Sequence, residues 1–251
     1  MLWPMLVDAT VLITGASSGI GAATAAAFAA AGARLVLCAR RGDRLERLAA
    51  DLDTQVDTLV LDVRDRDAVT AALSGLDPID VLVNNAGLAA GFEPLHTGDP
   101  DDWDRMIDTN VRGLLTVTRA VVPGMVARGR GHVINIGSIA GHETYPNGAV
   151  YCATKAAVDR ITKGLRLDLV GTGVRVSTID PGMVETEFSV VRFGGDADRA
   201  AKVYEGVDPL TPEDIAEAVV WVAGRPPHVQ VAEVIILAGQ QASATVVSRR
   251  Q

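Results

Sequence analysis

The sequence has little cysteine, few aromatic residues and no excess of positive charge, and these shortages exclude several classes of protein. Its 251 residues include two cysteines, too few for a disulfide framework and typical of a reducing compartment. Lys and Arg total 23 against 31 for Asp and Glu, a net charge of −8. That charge would repel nucleic acid and anionic membranes, so neither is an expected partner. The four histidines show no metal-ligand spacing, and we predict no metal site.

Long apolar runs are also missing, and none reaches the length of a membrane span. The apolar start, Met1 to Val7, lacks the basic residues of a signal peptide and leads directly into a predicted strand. We therefore expect a cytoplasmic protein. Hydrophobic residues make up 48% of the chain, enough for a well-packed core, and we expect a single domain over residues 1–251.

Short apolar runs alternate with helical patterns along the whole chain. The runs are continuous, as expected for strands that helices cover on both faces, and Cys38 falls inside one of them as a small buried side chain. The pattern predicts a doubly wound, parallel α/β sheet of about seven strands. The strands are predicted at 10–14, 34–39, 56–61, 79–84, 131–136, 174–179 and 231–237. The helices are predicted at 20–31, 43–51, 65–73, 101–126, 148–170 and 209–223, with Thr211 as the cap of the last. Residues 182–207 are too long for an ordinary connection and are a candidate lid.

A glycine turn joins the first strand to the first helix. Gly15, Gly19 and Gly21 would let the backbone approach a pyrophosphate at the helix N-terminus. The spacing differs from the G-x-G-x-x-G fingerprint, but at this junction of a doubly wound sheet it favours a dinucleotide.

The end of the second strand indicates which dinucleotide. An acidic residue there would bind the ribose hydroxyls of NAD, whereas this chain has Ala39 followed by Arg40 and Arg41. Two guanidiniums can hold a 2′-phosphate, so we predict NADP. The alternative is a solvated basic turn at the start of a helix.

Tyr151 and Lys155 stand four residues apart on a predicted helix and share one face. A free phenol titrates near ~10. A positive charge ~4 Å away, at an effective dielectric of ~20, is worth ~4 kcal/mol and would bring the phenol into working range. The alternative is a half-buried ring beside a solvated amine.

Three further polar positions follow strands or interrupt a helix. Asn84 to Gly87 closes the fourth strand, and Ser138 follows the fifth, both at ligand-facing carboxyl ends. Asn110 lies inside the long predicted helix, where asparagine is a poor helix former. The alternatives are an ordinary turn, a loop serine and a surface asparagine.

In order and spacing, these motifs resemble those of the short-chain dehydrogenases/reductases over essentially the whole chain. The resemblance implies that Tyr151 is the general acid/base and that Lys155 lowers its pKa and holds the nicotinamide ribose. Ser138 would orient the substrate oxygen, and Asn110 would support a water in the proton relay. A homotetramer built through the two long helices is also implied. The implied cofactor-binding residues are Gly15, Ser17, Ser18, Gly19, Ile20, Gly21, Arg40, Arg41, Asp62, Val63, Asn84, Ala86, Gly87, Tyr151, Lys155, Pro181, Gly182, Val184 and Thr186.

Within that family the chain is most similar to the NADP-dependent 3-hydroxy acid dehydrogenases, through segments 184–193, 209–218 and 226–229. Its tail, Ala238-Gly-Gln-Gln, departs from their Pro-Thr-x-Gln. The expected substrate is a small-molecule carbonyl or alcohol, with Ser138, His142, Tyr151, Met183 and Arg192 as candidate substrate contacts. Arg192 would meet a substrate carboxylate, with His142 as the alternative partner.

Three other functions stay open: a general aldehyde or ketone reductase, a reductase of carrier-bound ketoacyl groups, and an NADP-sensing protein without turnover. The lid carries more acidic than basic residues between Glu185 and Glu205. This charge disfavours an acidic carrier protein.

Overall fold

The structure, a computed structural model, describes residues 5–250 of the chain. Part of the apolar start, Met1 to Pro4, lies outside these residues. The strands are β1 (Thr10–Thr14), β2 (Arg34–Ala39), β3 (Val56–Val60), β4 (Val81–Asn84), β5 (Gly131–Ile136), β6 (Val174–Pro181) and β7 (Glu233–Ile236). The helices are α1 (Gly19–Ala30), α2 (Gly42–Asp51), α3 (Arg66–Ser74), α4 (Pro100–Ile107), α5 (Leu114–Arg128), α6 (Ala149–Asp168), α7 (Phe188–Arg192), α8 (Ala197–Lys202) and α9 (Pro212–Ala223).

The seven strands form one parallel sheet in the order β3-β2-β1-β4-β5-β6-β7. Helices cover both faces, so the predicted doubly wound fold is confirmed. Successive side chains of a strand point to opposite faces. In β1, Val11 and Ile13 therefore pack in the core layer beneath α1 and α9, and Leu12 packs in the layer beneath α3 and α5. This two-sided burial explains the continuous apolar runs.

The edge strand β3 is an exception to that pattern. Three of its five residues are exposed, and Val60 keeps 64% of its surface in contact with solvent. An edge strand has a neighbouring strand on one side only and borders solvent on the other, so β3 does not need two apolar faces.

The single helix predicted at 101–126 is present as a helical stretch over residues 100–128, but it is not one uninterrupted α-helix. The turn Asp108–Gly113 is π-helical and links α4 to α5. At the other end of the chain the predicted cap is confirmed: Thr211 and Asp214 form a capping box at the start of α9. None of the helices within residues 5–250 combines the length and the apolar composition that crossing a bilayer requires.

The connection order reverses between β1 and β4, which are neighbours in the sheet. At such a reversal the connections leave on opposite faces, so a crevice opens at the carboxyl ends of the two strands. The glycine turn after β1 and the segment Asn85–Gly87 after β4 border this crevice.

Candidate active site

A cavity of about 870 Å³ opens at the carboxyl edge of the sheet, between the strand ends and the segment 182–207. Most of the residues predicted for the site line it. They are Gly15, Ser17, Ser18, Gly19, Ile20, Arg40, Arg41, Asp62, Val63, Ala86, Gly87, Ser138, Tyr151, Lys155, Pro181, Gly182, Met183, Val184, Thr186 and Arg192.

Four predicted residues do not line the cavity. Gly21 is a packing position, since a Cβ there would lie 2.4 Å from the Gly15 carbonyl oxygen. Asn110 and His142 lie behind the cavity wall. The Asn84 side chain donates to Thr118 and Asn135 inside the sheet, and it is the next residue, Asn85, that lines the cavity.

Asn85 and Thr14 tie the two sides of the crevice together. The Asn85 amide nitrogen Nδ2 donates to the carbonyls of Thr14 and Gly15 at 2.9 and 3.2 Å. The Thr14 hydroxyl accepts the backbone N–H groups of Asn85 and Ala86. Gly15 has a φ of +66°, and a Cβ there would lie 2.9 Å from the Ala86 Cα. The close approach of these two backbones therefore requires glycine.

The first turn of α1 has the properties of an anion site. Its N-cap, Ser18, makes no side-chain capping bond, and the turn contains no acidic residue. Unpaired N–H groups and the positive end of the helix dipole therefore face the cavity. Arg41 adds a cation, because its guanidinium donates to the hydroxyls of Ser17 and Ser18 at 2.7–3.2 Å. This cradle fits the pyrophosphate of a dinucleotide.

The basic turn after β2 contacts the lid. The carboxylate of Glu187 accepts from Arg41 at 3.0 Å and from Arg44 at 2.8 Å. Hydrogen bonds from Arg44 and then Arg41 hold the pKa of Glu187 below its usual value. Arg40 is exposed. Asp62, another acid in the cavity wall, is paired with Arg64 at 2.7 Å.

Lys155 is buried, and its Nζ donates to the Ile136 carbonyl at 2.9 Å. Burial lowers the pKa of Lys155 to about 8, and the negative charge of Asp180 opposes the shift. The ammonium thus sits at the floor of the cavity, beside the end of β5.

Tyr151 is also buried, and burial raises its pKa above the usual value of a phenol. The largest opposing effect is the positive charge of Arg192, followed among the lowering contributions by a hydrogen bond with Ser138. The sequence prediction assigned that opposing charge to Lys155. In the structure the guanidinium carbon of Arg192 lies 4.9 Å from the centre of the Tyr151 ring.

A buried carboxylate holds the loop that carries Ser138. Asp180 accepts the Ser138 N–H at 3.1 Å and the Thr178 hydroxyl at 3.1 Å. The preceding residue must be glycine, because a Cβ at Gly137 would lie 1.7 Å from an Asp180 carboxylate oxygen. The position of Ser138 thus depends on the end of β6.

His142 faces Asp180 and not the cavity. Its Nε2 lies 3.1 Å from Asp180 and 3.6 Å from Glu233. The metal-type ligand atoms of these three residues lie within 4.8 Å of one another, a grouping that the sequence spacing did not predict. Lys163 binds the other oxygen of Glu233 at 3.4 Å, so a cation already neutralises part of the cluster.

Asn110 is buried within the π-helical turn, so the surface interpretation of this residue is wrong. Its side chain accepts the Leu88 N–H and donates to the Leu88 carbonyl, both at 2.8 Å. It also donates to the Thr154 hydroxyl, which in turn donates to the Tyr151 carbonyl. Asn110 thus connects the wall after β4 to the first turn of α6.

Arg192, on α7, projects into the cavity and is surrounded by aromatic rings. Its Nη2 donates to the Tyr145 hydroxyl at 2.7 Å. Its guanidinium carbon lies 4.9–5.8 Å from the ring centres of Phe92, Tyr145, Tyr151 and Phe188. Within residues 5–250, no carboxylate lies within ion-pair distance of this cation.

Several cavity residues escaped prediction because their contacts are not local. The aromatic rings around Arg192 include Phe92, Tyr145 and Phe188. Aromatic residues are rare in this chain, and that rarity was the only feature of the sequence that could have drawn attention to them. The tail is another case. Gln241 accepts the Met183 N–H at 2.9 Å, and residues of 244–249 reach the cavity wall.

Comparison with known proteins agrees with this arrangement. The sequence model of the short chain dehydrogenase family matches residues 9–193. The NADP-dependent 3-hydroxy acid dehydrogenase YdfG of Salmonella typhi is 52% identical over 226 residues, which cover 88% of this chain and 91% of that protein. The NADP-dependent 3-hydroxy acid dehydrogenase of Schizosaccharomyces pombe is 43% identical over 251 residues, 96% of this chain and 97% of that protein.

Solved structures show the same similarity. The closed form of serine dehydrogenase complexed with NADP+ has a TM-score of 0.92 and 46% identity, and the match covers 96% of this chain and all of that one. A metagenomic short-chain oxidoreductase in complex with NADP has a TM-score of 0.80 and 31% identity, over 94% of this chain and 100% of that one.

Proposed function

Because the chain belongs to the short-chain dehydrogenase family, we propose that it is an NADP(H)-dependent oxidoreductase whose substrate is a small 3-hydroxy acid or the matching carbonyl compound. The family makes it an enzyme and gives the reaction type, the interconversion of a carbonyl and an alcohol. The choice of NADP and of a 3-hydroxy acid is supported by the relatives whose names include both.

One observation carries the choice of an acidic substrate. Arg192 places a guanidinium 4.9 Å from the Tyr151 ring centre, inside the cavity and surrounded by aromatic rings. An apolar setting strengthens a charge-assisted bond to a carboxylate. A 3-hydroxy acid carries its carboxylate two carbons from the reacting oxygen and can reach both Tyr151 and Arg192. His142, the alternative partner, is engaged with Asp180 and is set aside.

The proposed chemistry assigns one task to each residue. When bound, NADPH supplies the hydride to the carbonyl carbon. Tyr151 donates a proton to the carbonyl oxygen, or accepts it in the reverse reaction, and Ser138 hydrogen-bonds the same oxygen. Lys155 binds the nicotinamide ribose and places a positive charge near the phenol. Asn110 holds the turn of Tyr151 through Thr154 and supports a water in the proton relay.

Cofactor choice follows from the charges at the end of β2. Ala39 replaces the acid that would bind the ribose of NAD, and Asp62 is paired with Arg64. Arg40 and Arg41 are the proposed contacts of the 2′-phosphate. Thr186, which packs beside Gly19, is the proposed contact of the carboxamide.

The proposal extends to the location of the enzyme, its assembly and its lid. We place the enzyme in the cytoplasm as a homotetramer of one domain per chain. Residues 182–207, with the short helices α7 and α8, act as a lid that closes over substrate and cofactor.

The test compares acidic and neutral substrates in the Arg192→Leu variant. NADP-linked oxidation is measured with 3-hydroxypropionate and with a neutral primary alcohol of similar size. Loss of the guanidinium should raise KM for the acid by about tenfold or more and leave the neutral alcohol nearly unchanged. Arg199→Leu is the matched control, because Arg199 lies on the same lid but stacks on Phe193 instead of facing Tyr151.

Each of the other outcomes points to a different function. An equal rise in KM for both substrates would mean that Arg192 only maintains the shape of the lid. No loss for either would favour a reductase of neutral carbonyls. Binding of NADP without turnover of any aldehyde, keto acid or hydroxy acid would favour the cofactor-sensing alternative.

A further inference from the structure

Two arginines converge on one anion position beside the glycine turn. Arg41 is the N-cap of α2, and Arg44 lies three residues later, so both side chains leave the same side of the helix start. The carboxylate between them belongs to Glu187 and accepts from Arg41 at 3.0 Å and from Arg44 at 2.8 and 2.9 Å. We call this pair of guanidiniums the Arg41–Arg44 fork.

The fork lies where the 2′-phosphate of NADP is expected. Arg41 follows β2 directly, and its other nitrogens donate to Ser17 and Ser18 of the glycine turn. A guanidinium between the pyrophosphate cradle and the end of β2 is well placed for a phosphate on the adenosine ribose. The carboxylate of Glu187 thus occupies the position that suits this phosphate.

Two anions cannot both bind the Arg41–Arg44 fork with the affinity that each would have alone. A carboxylate and a phosphate dianion held by the same two cations would repel each other across a few ångströms. Glu187 is also the N-cap of α7 and therefore part of the lid. Any anion that takes the fork from Glu187 frees the beginning of α7 from α2.

We propose that Glu187 and the 2′-phosphate of NADP compete for the Arg41–Arg44 fork, so that the phosphate, and not the rest of the cofactor, releases the lid at Glu187. Arg44 becomes a second ligand of the phosphate, and Glu187 becomes a determinant of how strongly NADP is preferred over NAD. The proposal rests on the proposed function through its choice of NADP.

The binding test uses two nucleotides that differ by the 2′-phosphate. Isothermal titration calorimetry measures the affinities of 2′,5′-ADP and 5′-AMP for the unmutated protein and for Glu187→Gln. Removing the competitor should strengthen 2′,5′-ADP binding by about three- to fivefold, the size expected for an exposed ion pair, and leave 5′-AMP unchanged. The gain should shrink in high salt.

Glu185→Gln is the matched control for charge. It removes an acidic side chain two residues away that forms no ion pair within residues 5–250, and it should leave both affinities nearly unchanged. An equal gain in Glu185→Gln and Glu187→Gln would mean a general charge effect and would overturn the proposal. Weaker 2′,5′-ADP binding in Glu187→Gln would overturn it too, because Glu187 would then help to hold the nucleotide.

Arg44→Gln tests the second phosphate ligand. It should weaken 2′,5′-ADP by about threefold or more and leave 5′-AMP unchanged. Arg47→Gln, on the same helix but paired with Asp43, is its control. Unchanged 2′,5′-ADP affinity in Arg44→Gln would remove Arg44 from the phosphate site and, with it, the fork.

Hydrogen–deuterium exchange tests the coupling to the lid. Amides of residues 185–192 should exchange faster when 2′,5′-ADP is added to the unmutated protein, but not when 5′-AMP is added. Glu187→Gln should show the faster exchange without nucleotide. Slower exchange with 2′,5′-ADP would show that the phosphate does not release the lid, and would overturn the coupling.

The same data separate this proposal from the proposed function. If the unmutated protein binds 2′,5′-ADP and 5′-AMP equally, the assignment of NADP fails. If it prefers 2′,5′-ADP while Glu187→Gln behaves like the unmutated protein, NADP stands and the competition fails.

Discussion

At the scale of single residues, burial acts on Tyr151 and Lys155 in opposite directions. Removing a group from water disfavours its charged form, so the pKa of Tyr151 rises and that of Lys155 falls to about 8. Both shifts favour the neutral form of each group, although a pKa of about 8 still leaves Lys155 mostly protonated at pH 7. The raised pKa of Tyr151 is the opposite of the lowered pKa that the spacing of Tyr151 and Lys155 predicts. Tyr151 therefore stays protonated at neutral pH, which suits its proposed role as the proton donor in the reduction of a carbonyl.

Replacing Tyr151 by Phe tests the proton donor. The ring and its packing against Phe188 are kept, so NADP should bind within about twofold of normal. Turnover should fall by about 10²–10⁴-fold, the usual contribution of general acid–base catalysis. Steady-state kinetics and cofactor titration measure the two quantities. Tyr204→Phe, which removes a hydroxyl bonded to the Val184 carbonyl on the lid, is the control; a Tyr151→Phe variant with near-normal kcat would refute the assignment.

Lys155 should reduce the stability of the fold below pH 8. The ordinary pKa of 10.5 falls to about 8 in the folded protein, so between these values the unfolded chain binds more protons. The penalty for burying the charge is thus fully present below pH 8 and is relieved as pH rises towards 10.5. The difference corresponds to about 3 kcal/mol.

Lys155→Met should therefore raise the free energy of unfolding at pH 7 by up to about 3 kcal/mol, while NADP binding and turnover are lost. Chemical denaturation of the two proteins at pH 7 and at pH 10 measures the difference, which should be smaller at pH 10. Equal stabilities at pH 7 would show that Asp180 already compensates the buried ammonium.

At the scale of the elements, the π-helical turn Asp108–Gly113 determines where α4 and α5 meet the active site. A π turn carries one extra residue and often lies at a functional site. Here it directs Asn110 towards Leu88 and Thr154, and so fixes the segment after β4 against α6. Two walls of the cavity are held by one side chain.

Asn110→Ala should destabilise the protein by about 2–4 kcal/mol, because it leaves the buried N–H and carbonyl of Leu88 without partners. Urea unfolding measures the change. Glu46→Ala, an exposed substitution on α2, should change stability by less than about 0.5 kcal/mol. A cost for Asn110→Ala no larger than that of the control would show that water replaces the amide.

At the scale of the whole molecule, α5, α6 and the turn that follows α6 expose more apolar surface than a solvated helix pair needs. Leu167 and Val170 keep 76% and 77% of their surface accessible, and Leu115 keeps 45%. Single exposed apolar residues are common, but several on two neighbouring helices suit an interface. Together with the family, this surface supports the proposed homotetramer.

Light scattering at micromolar concentration should give four times the 26.2 kDa mass of one chain. Leu167→Glu should shift the mass towards dimer or monomer, because a charge would be buried in the interface. Val60→Glu, at another exposed apolar position, on the edge strand β3, should leave the tetramer intact. A monomeric mass for the unmutated protein would refute the assembly.

The sequence by itself determined the features that depend on near neighbours. Continuous apolar runs indicated buried parallel strands, glycine spacing indicated the turn before α1, and a four-residue interval placed Tyr151 and Lys155 on one face of α6. The cap at Thr211 was predicted for the same reason. In each case the relevant energy depends on a few residues along the chain, so the pattern is visible without the fold.

Only the tertiary structure decided the contacts between distant segments. Glu187 meets Arg41 across 146 positions, Gln241 meets Met183 across 58, and Asp180 meets Ser138 across 42. The same is true of the aromatic rings around Arg192 and of the position of Arg192 beside Tyr151. These side chains have no local pattern to mark them, because their energies depend on which strand ends the parallel sheet brings to one edge.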